Sequence, residues 1–190
     1  MREGAGDVTD GVASLEELEG LSAPPSITSA FKNAMRNLAA GVSVVTVGTD
    51  DEASGFTATS VVSLSVDTPS VLVSIDSSSA SWPILHRSCR FTVNLLSASH
   101  HEIAETFAGR RGLRGNQRYV DPRWQRSAGQ VPYLLDALAV IECDLEEAIP
   151  RYSHVILIGN VVKVAFGGAR TPLVYWQGGY NQVRERSREL

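Results

Sequence analysis

Cysteine is scarce in this sequence, which has two cysteines among 190 residues. Cys89 and Cys143 form no Cys-x-x-Cys pair, and this spacing argues against a redox thiol pair and against thiol catalysis. Both are expected to be buried thiols in a reducing cytoplasm. No apolar run reaches transmembrane length, and the N-terminus has no basic region followed by an apolar one, which predicts no signal peptide.

Metal-ligand clusters and glycine-rich nucleotide loops are also missing. His101 and Glu105 share a helical face, with His100 and Glu102 beside them, but this set is too small for a zinc site and is interpreted as a solvated helix. No Gly-x-Gly-x-x-Gly or Walker-type loop occurs. The sequence therefore predicts neither a bound metal nor a dinucleotide-binding fold of its own.

Charge is unevenly distributed along the chain. The net charge is −4, and residues 1–30 hold six acids against Arg2, a net of −5. The remaining residues hold 16 basic and 15 acidic side chains, a net of +1. Residues 1–28 are therefore predicted to be an acidic, disordered extension, because such a segment cannot bury enough apolar surface to order itself. Residues 183–190 are predicted to be a charged C-terminal tail.

Short apolar stretches bounded by turn residues dominate the chain from residue 42 onward. They predict β-strands at 42–48, 90–96, 138–147, 155–166 and 173–176, with two or three more within 54–76. Many short strands with few helices are typical of a closed antiparallel barrel. The fold class expected for residues 29–182 is therefore mainly β.

Helices are fewer, and serine residues predict where they begin. Ser29 is expected to cap a helix that ends at Gly41, while Ser81 and Ser99 are expected to cap two shorter helices. Residues 109–132 are predicted to be a long loop, and structureless loops of this length are usually functional or mobile.

Residues 55–82 contain many hydroxyl side chains and very few charges. Buried hydroxyls and the backbone donors around them need hydrogen-bond partners. A phosphorylated polyol ligand would supply such partners. A barrel wall whose serines and threonines are satisfied by the backbone is the alternative, and the pattern by itself does not decide between the two.

Four pieces of sequence resemble the short-chain flavin reductases, the small reductase components of two-component monooxygenases. They are residues 55–82, the segment Arg-Phe-Thr-Val-Asn at 90–94, Ser-His at 153–154, and residues 172–180. The pieces occur in the family's order, and the resemblance runs from about residue 31 to about residue 180. It implies a split β-barrel and a homodimer with flavin near the subunit interface. The nearly neutral body and the lack of a transmembrane run separately predict no binding to nucleic acid or membranes.

The resemblance also implies site residues. His154 would be the catalytic-site histidine, which helps to place the nicotinamide. The flavin-binding residues that it implies are Thr57, Ala58, Thr59, Ser60, Ser74, Ile75, Asp76, Ser79, Ser81, Asn94, Phe107, Arg118 and Tyr180. Arg118 stands where the family usually has lysine, and it is expected to contact the flavin phosphate. Tyr152-Ser153 stands where the family has Gly-Asp.

The function that follows is an NAD(P)H-dependent flavin reductase. FMN or FAD would receive a hydride from NADH or NADPH, and reduced flavin would diffuse to a partner monooxygenase. The alternative, favoured by the change at Tyr152-Ser153, is a split-barrel protein that holds its flavin tightly and has a different or lost redox activity. A nucleic-acid or interaction module rests only on the arginines of 109–132 and ranks last, because the body of the protein is almost neutral.

Overall fold

The computed structural model describes residues 26–168 and 171–183. Backbone contacts divide the chain into two units, Met1–Leu38 and Ala39–Leu190. The predicted N-terminal extension lies almost wholly outside the described residues, and so does the predicted C-terminal tail apart from residue 183.

The described part of the first unit contains helix α1, Ile27–Arg36. Its N-cap is Ser26, whose hydroxyl accepts a hydrogen bond from the backbone N–H of Ser29. The prediction of Ser29 as the cap was therefore wrong, because the serine three residues earlier already satisfies that amide. The helix also ends sooner than predicted, at Asn37 rather than at Gly41.

Twelve β-strands lie in the described part of the second unit, and they confirm the expectation of a mainly β fold. Their bounds are β1 Ala40–Gly41, β2 Ser43–Val47, β3 Ser54–Ala58, β4 Val62–Ser65, β5 Ser70–Asp76, β6 Arg90–Leu95, β7 Trp124–Arg126, β8 Pro132–Leu134, β9 Ala139–Arg151, β10 His154–Phe166, β11 Leu173–Trp176 and β12 Gly179–Gln182. All the strand pairs are antiparallel. The short strand β12, which pairs with β11, was not predicted.

Seven of these strands form one sheet, in the order β3-β2-β6-β9-β10-β5-β4. The two edge strands, β3 and β4, are joined by only residues 59–61. Three residues span at most about 15 Å between the flanking Cα atoms, whereas the edges of a flat seven-stranded sheet would lie about 29 Å apart. The sheet must therefore curl until its edges approach each other, which is the barrel that the strand pattern predicted.

The strands β2 and β6 are buried on both faces. One face packs into the barrel core, where Val45 and Phe91 are almost fully buried. The other face is covered by a hairpin of β7 and β8 and by an aromatic cluster that includes Trp124. Thr46 and Asn94 lie on this outer face, where both hydrogen-bond to the hairpin.

Two short helices flank the barrel: α2, Ser81–Ser88, and α3, His101–Phe107. Neither of the predicted caps is found. Ser81 is the first helical residue of α2 rather than its cap. Before α3, a 3₁₀ turn at Ala98–His100 is capped by Ser97, so Ser99 lies inside the turn. Both predictions selected a serine within one or two residues of the true boundary, which is the ordinary uncertainty of helix ends.

The predicted loop at 109–132 contains regular structure. A 3₁₀ helix occupies Gly115–Tyr119, and β7 and the start of β8 fall within the same segment. No helix in the part of the chain that the structure describes is long and apolar enough to cross a membrane.

The two cysteines differ in exposure. Cys143 is buried in the barrel core, where burial raises the pKa of its thiol to about 12. Cys89 is exposed, and the prediction that it is buried was wrong. It follows the last turn of α2 with a positive φ of 53°, which turns the chain out of the helix.

Candidate functional site

An open cavity of about 410 Å³ lies where β3, β5, β10 and α3 approach one another. Residues 56–60, 74–76, Ser79, 107–108 and His154 line it. Sites for small molecules commonly have volumes of about 300–1,000 Å³. Four segments that are distant in the sequence therefore meet at one cavity, and they include most of the residues that the resemblance selected.

The first wall is β3 and the residues that follow it. Because β3 is an edge strand that pairs only with β2, the main-chain groups on its other side have no ladder partner. Ala58 is buried behind this wall, and Thr59 beside it is exposed. Such an edge can offer backbone N–H and C=O groups to a ligand.

Two hydroxyls of this wall have partners within the protein. Thr57 Oγ1 donates to the carbonyl of Ala104 at 2.7 Å and joins β3 to α3. Ser60 Oγ donates to the carbonyl of Ser74 and accepts from its amide, at 3.2 and 3.1 Å. For these two side chains, the contacts favour the alternative in which the hydroxyls of residues 55–82 are satisfied by the protein backbone. The hydrogen bonds fix the shape of this wall.

The opposite wall carries His154, the first residue of β10. Its ring Nδ1 lies 3.0 Å from Ser153 Oγ. The carbonyl of Ser153 accepts hydrogen bonds from the amide and the hydroxyl of Ser77, at 2.9 and 3.0 Å. The turn before β10 is thus tied to the turn after β5, and this tie positions the imidazole at the cavity.

Asp76 ends β5 directly opposite His154 in the strand register. Its Oδ1 accepts from the hydroxyl of Ser78 at 2.7 Å and from the amide of Ser78 at 2.8 Å. These hydrogen bonds, more than the nearby His154, lower the pKa of Asp76. The carboxylate is therefore ionised at neutral pH.

Ser81 and Asn94 are not brought to the cavity. Ser81 is 2% exposed and its hydroxyl lies 2.9 Å from that of Ser54. Asn94 is fully buried, and its amide nitrogen donates to the carbonyl of Val44 while its Oδ1 accepts from the amide of Leu134. Both side chains therefore have structural roles, and the expectation that they bind a cofactor does not fit their positions.

Arg118 lies behind the cavity wall rather than in it. Its guanidinium stands 5.7 Å from the centre of the Phe107 ring, and Phe107 lines the cavity. Its Nε and Nη1 donate to the carbonyls of Leu113 and Gly55, at 2.9 and 2.7 Å. Burial lowers the pKa of this half-buried cation. Arg118 also borders a separate cavity of about 280 Å³.

Tyr180 lies in an aromatic cluster that is not part of the cavity lining. Its ring centre is 5.3 Å from that of Tyr175 and 5.0 Å from that of His101, and Arg110 stands over its face at 5.8 Å. Burial raises the pKa of the Tyr180 hydroxyl. His101, interpreted from the sequence as part of a solvated helix, packs edge-on against this ring.

Several arginines of the segment 109–132 form ion pairs. Arg110 pairs with Glu105 at 2.6 Å, and Arg123 pairs with Asp121 at 2.6 Å. Arg111 likewise lies 3.3 Å from a carboxylate of α3. Much of the positive charge of this segment is therefore compensated within the protein, which weakens the case for nucleic-acid binding.

The sequence reasoning missed Phe56 and Ala108, which both line the cavity. Each adjoins a predicted residue, so extending the predicted segments by one residue would have included them. No group of three or more potential metal ligands occurs among the residues that the structure describes.

The residues present fit a flavin. Half-buried Phe56 offers apolar surface to a planar ring, and Phe107 and Ile75, which are 3% and 1% exposed, pack behind it, while the β3 edge offers backbone hydrogen bonds. Exposed Thr59 and half-buried Ser79 add hydroxyls at the rim. The lining thus combines apolar side chains with hydroxyl groups, a carboxylate and an imidazole, and convergent polar groups fix the orientation of a ligand in a cofactor site.

Residues 35–184 match the family model described as a flavin reductase like domain. The chain is 31% identical over 162 residues to the FMN reductase (NADH) RutF of Variovorax paradoxus, covering 85% of this chain and 89% of that protein. It is 34% identical over 154 residues to the reductase component of a 4-hydroxyphenylacetate 3-monooxygenase from Thermus thermophilus, covering 81% and 95% of the two chains.

Solved structures give the same result. The structure of BorF, the flavin reductase component of a bacterial two-component tryptophan halogenase, superposes with a TM-score of 0.77 at 31% identity. That match covers 84% of this chain and 99% of the other. These similarities confirm the split β-barrel that the resemblance implied.

Proposed function

This chain belongs to the flavin reductase-like family, and from that premise we propose that it reduces diffusible FMN or FAD with NADH or NADPH and supplies the reduced flavin to a separate monooxygenase. The observation that carries the proposal is the cavity that joins the β3 edge, the Asp76 turn, Phe107 and His154. The names of the relatives, an FMN reductase (NADH) and monooxygenase reductase components, favour FMN and NADH within this choice.

The protein's own contribution is binding and positioning. When bound, the two nucleotides supply the chemistry of hydride transfer from nicotinamide C4 to flavin N5. The β3 edge and the side chain of Phe56 would hold the planar ring, with Phe107 and Ile75 packed behind them. His154 would orient the nicotinamide, and the hydroxyl of Ser153, 3.0 Å from Nδ1, would fix the orientation of the imidazole. No side chain is needed as an acid or base for the transfer itself.

The charges around the cavity favour one orientation of the flavin. The carboxylate of Asp76 lies at one wall, and the guanidinium of Arg118 lies behind Phe107 at another. An anionic phosphate is repelled by the first group and attracted by the second. The phosphate end would therefore point toward the Phe107 side, in keeping with the expectation for Arg118, although Arg118 would act across or around the ring of Phe107.

A second copy of the chain is the proposed partner of an apolar strip on β10. Val162, Val164 and Phe166 alternate along this strand and are 57%, 46% and 83% exposed. Exposed apolar strips of this kind mark interaction surfaces, and a homodimer would cover this one. Light scattering should give a dimer mass for the purified protein. A change of Phe166→Glu should shift the population toward the monomer, whereas Val120→Glu, an exposed residue on a different segment, should not.

The function is tested by following NADH and NADPH oxidation with FMN, FAD or no flavin added. Activity that saturates with added flavin is expected, and it selects the flavin and the nicotinamide nucleotide. His154→Gln should raise the KM for the nicotinamide nucleotide, while His86→Gln, an exposed histidine outside the cavity, should leave it unchanged. No oxidation with any flavin, together with flavin retained through gel filtration, would contradict the proposal and support a tightly held flavin instead.

A further inference from the structure

One lining residue of the cavity carries a formal charge at neutral pH. Among the described residues that line it, Asp76 is the only acid, and none is a lysine or arginine. The remaining lining residues are apolar or hydroxylic, except for His154. A lone carboxylate in a cavity proposed for an anionic nucleotide needs a reason, because it repels the phosphate groups of such a ligand.

No cation of the described residues pairs with this carboxylate. Asp76 takes part in none of the ion pairs formed by the described arginines, lysines and histidines. Its Oδ1 accepts both hydrogen bonds from Ser78, and no described donor contacts Oδ2. Those hydrogen bonds hold the pKa of Asp76 below its ordinary value. The group is thus an ionised carboxylate, held at a defined position, with one oxygen available.

His154 lies opposite Asp76 without forming an ion pair with it. The two residues face each other in adjacent strands, and directly opposed residues project from the same face of a sheet. They nevertheless form no ion pair, and the Nδ1 of His154 is occupied by the hydroxyl of Ser153. The carboxylate and the imidazole therefore lie side by side at the cavity, where each can face a bound ring.

The proposed reaction creates a positive charge on the nicotinamide ring. The C4–H bond of the dihydronicotinamide breaks, the hydrogen leaves with both electrons, and a bond to flavin N5 forms. The nicotinamide ring is oxidised and gains one positive charge, while the flavin is reduced and gains one negative charge. A fixed carboxylate beside the nicotinamide would interact more favourably with the developing cation than with the neutral ring, which is the condition for lowering the barrier.

We propose that Asp76 is the counter-charge for the nicotinamide ring as it becomes cationic during hydride transfer. This inference rests on the proposed function. It assigns the nicotinamide to the wall formed by Asp76 and His154, which is the wall from which the phosphate groups are repelled.

The test compares Asp76→Asn with the wild type, both saturated with FMN. For the titrations the FMN is kept reduced in the absence of oxygen, so that NADH is not consumed. Dissociation constants for NAD⁺ and NADH are measured by calorimetry, because the two ligands differ by the charge in question. Asp76→Asn is expected to weaken NAD⁺ by about tenfold and NADH by less than about twofold, since the site is open to solvent and the charge is partly screened. The single-turnover rate of flavin reduction, followed by stopped flow, should fall by about tenfold.

Two further variants serve as controls. Asp67→Asn removes the same charge from an exposed turn outside the cavity. It should change neither the ratio of NAD⁺ to NADH affinity nor the single-turnover rate. Asp76→Glu keeps the charge and should recover part of the preference for NAD⁺.

Three outcomes are informative. An unchanged ratio of NAD⁺ to NADH affinity in Asp76→Asn would overturn the proposal. Loss of FMN binding in Asp76→Asn would also overturn it, because the residue would then hold the flavin rather than the nicotinamide. Failure of the wild type to oxidise NADH or NADPH with any flavin would instead refute the proposed function itself.

Discussion

For the buried side chain of Asn94, a role in flavin binding and a role in stabilising the fold predict different experimental results. The resemblance selects it as a flavin-binding residue, whereas the structure places it beneath the hairpin of β7 and β8. Its amide donates to the carbonyl of Val44 at 3.0 Å and accepts from the amide of Leu134 at 2.7 Å. Asn94→Ala leaves the buried amide of Leu134 without its partner, whereas the carbonyl of Val44 keeps its place in the ladder of β2 and β6.

The size of the effect follows from the amide of Leu134. A buried polar group without a partner costs about 1–3 kcal/mol, so the free energy of unfolding should fall by about 1–3 kcal/mol. For a protein of this length, about 1 kcal/mol corresponds to about 2–4 °C in Tm. A decrease of at least about 2 °C is therefore expected. The flavin Kd of the folded protein should change by less than about threefold, since Asn94 does not line the cavity.

Urea unfolding followed by tryptophan fluorescence measures the first quantity, and flavin titration in buffer without urea measures the second. Asn116→Ala, at an exposed position, is the control and should change stability by no more than about 0.5 kcal/mol. The reasoning is refuted if Asn94→Ala keeps the wild-type stability but weakens flavin binding by tenfold or more.

Three other experiments test separate parts of the structure. Gly159→Ala places a methyl group against a core aromatic ring and should lower the free energy of unfolding by about 1–3 kcal/mol in a denaturation experiment. Unchanged stability would show that the neighbouring core side chains move to accommodate the methyl group. A thiol reagent at pH 8 should modify exposed Cys89 rapidly. It should modify buried Cys143, whose pKa is raised to about 12 by burial, only after unfolding. Mass spectrometry of the labelled peptides gives the order, and labelling of Cys143 before Cys89 would contradict the assigned exposures. Hydrogen bonds from Arg123 lower the pKa of Asp121 to about 2, so the stability this group provides is present above the unfolded carboxyl pKa of about 3.9 and lost as the pH falls through about 2. Asp121→Asn should therefore lower Tm at pH 7 and reduce its decline between about pH 4 and pH 2, and parallel curves for the two proteins would contradict this.

The sequence predicted the strand content well, because strands follow local patterns. The apolar residues of 90–96 and the long apolar run at 155–166 predicted strands, and the structure has β6 and β10 there. The hydroxyl-rich segment and Ser153-His154 are contiguous motifs, so they could be recognised without knowing which residues they meet. Helix starts were less accurate, since several serines near each boundary could serve as a cap and only the folded backbone selects one.

Where each candidate side chain lies relative to the cavity depends on contacts between distant segments. Asn94 and Ser81 have the residue type of ligand-binding side chains, but Asn94 faces the hairpin and Ser81, on α2, faces Ser54. Arg118 stands where the family usually has lysine, and its contacts with two carbonyls place it behind Phe107. The segment 109–132 looks like a loop because its pattern is irregular, and its short strands are stabilised by packing on β2 and β6 rather than by local preference.

The sequence by itself determined that this protein is a mainly β chain with a flavin reductase signature, because hydrophobic periodicity and contiguous motifs are written along the chain. Only the tertiary structure decided which side chains share the cavity. A strand exposes alternate residues to opposite faces, and a barrel brings β3 and β5 together although they are separated by a third strand in the sequence. The pairing of Asp76 with His154 across β5 and β10 is therefore a property of register, which no local pattern specifies.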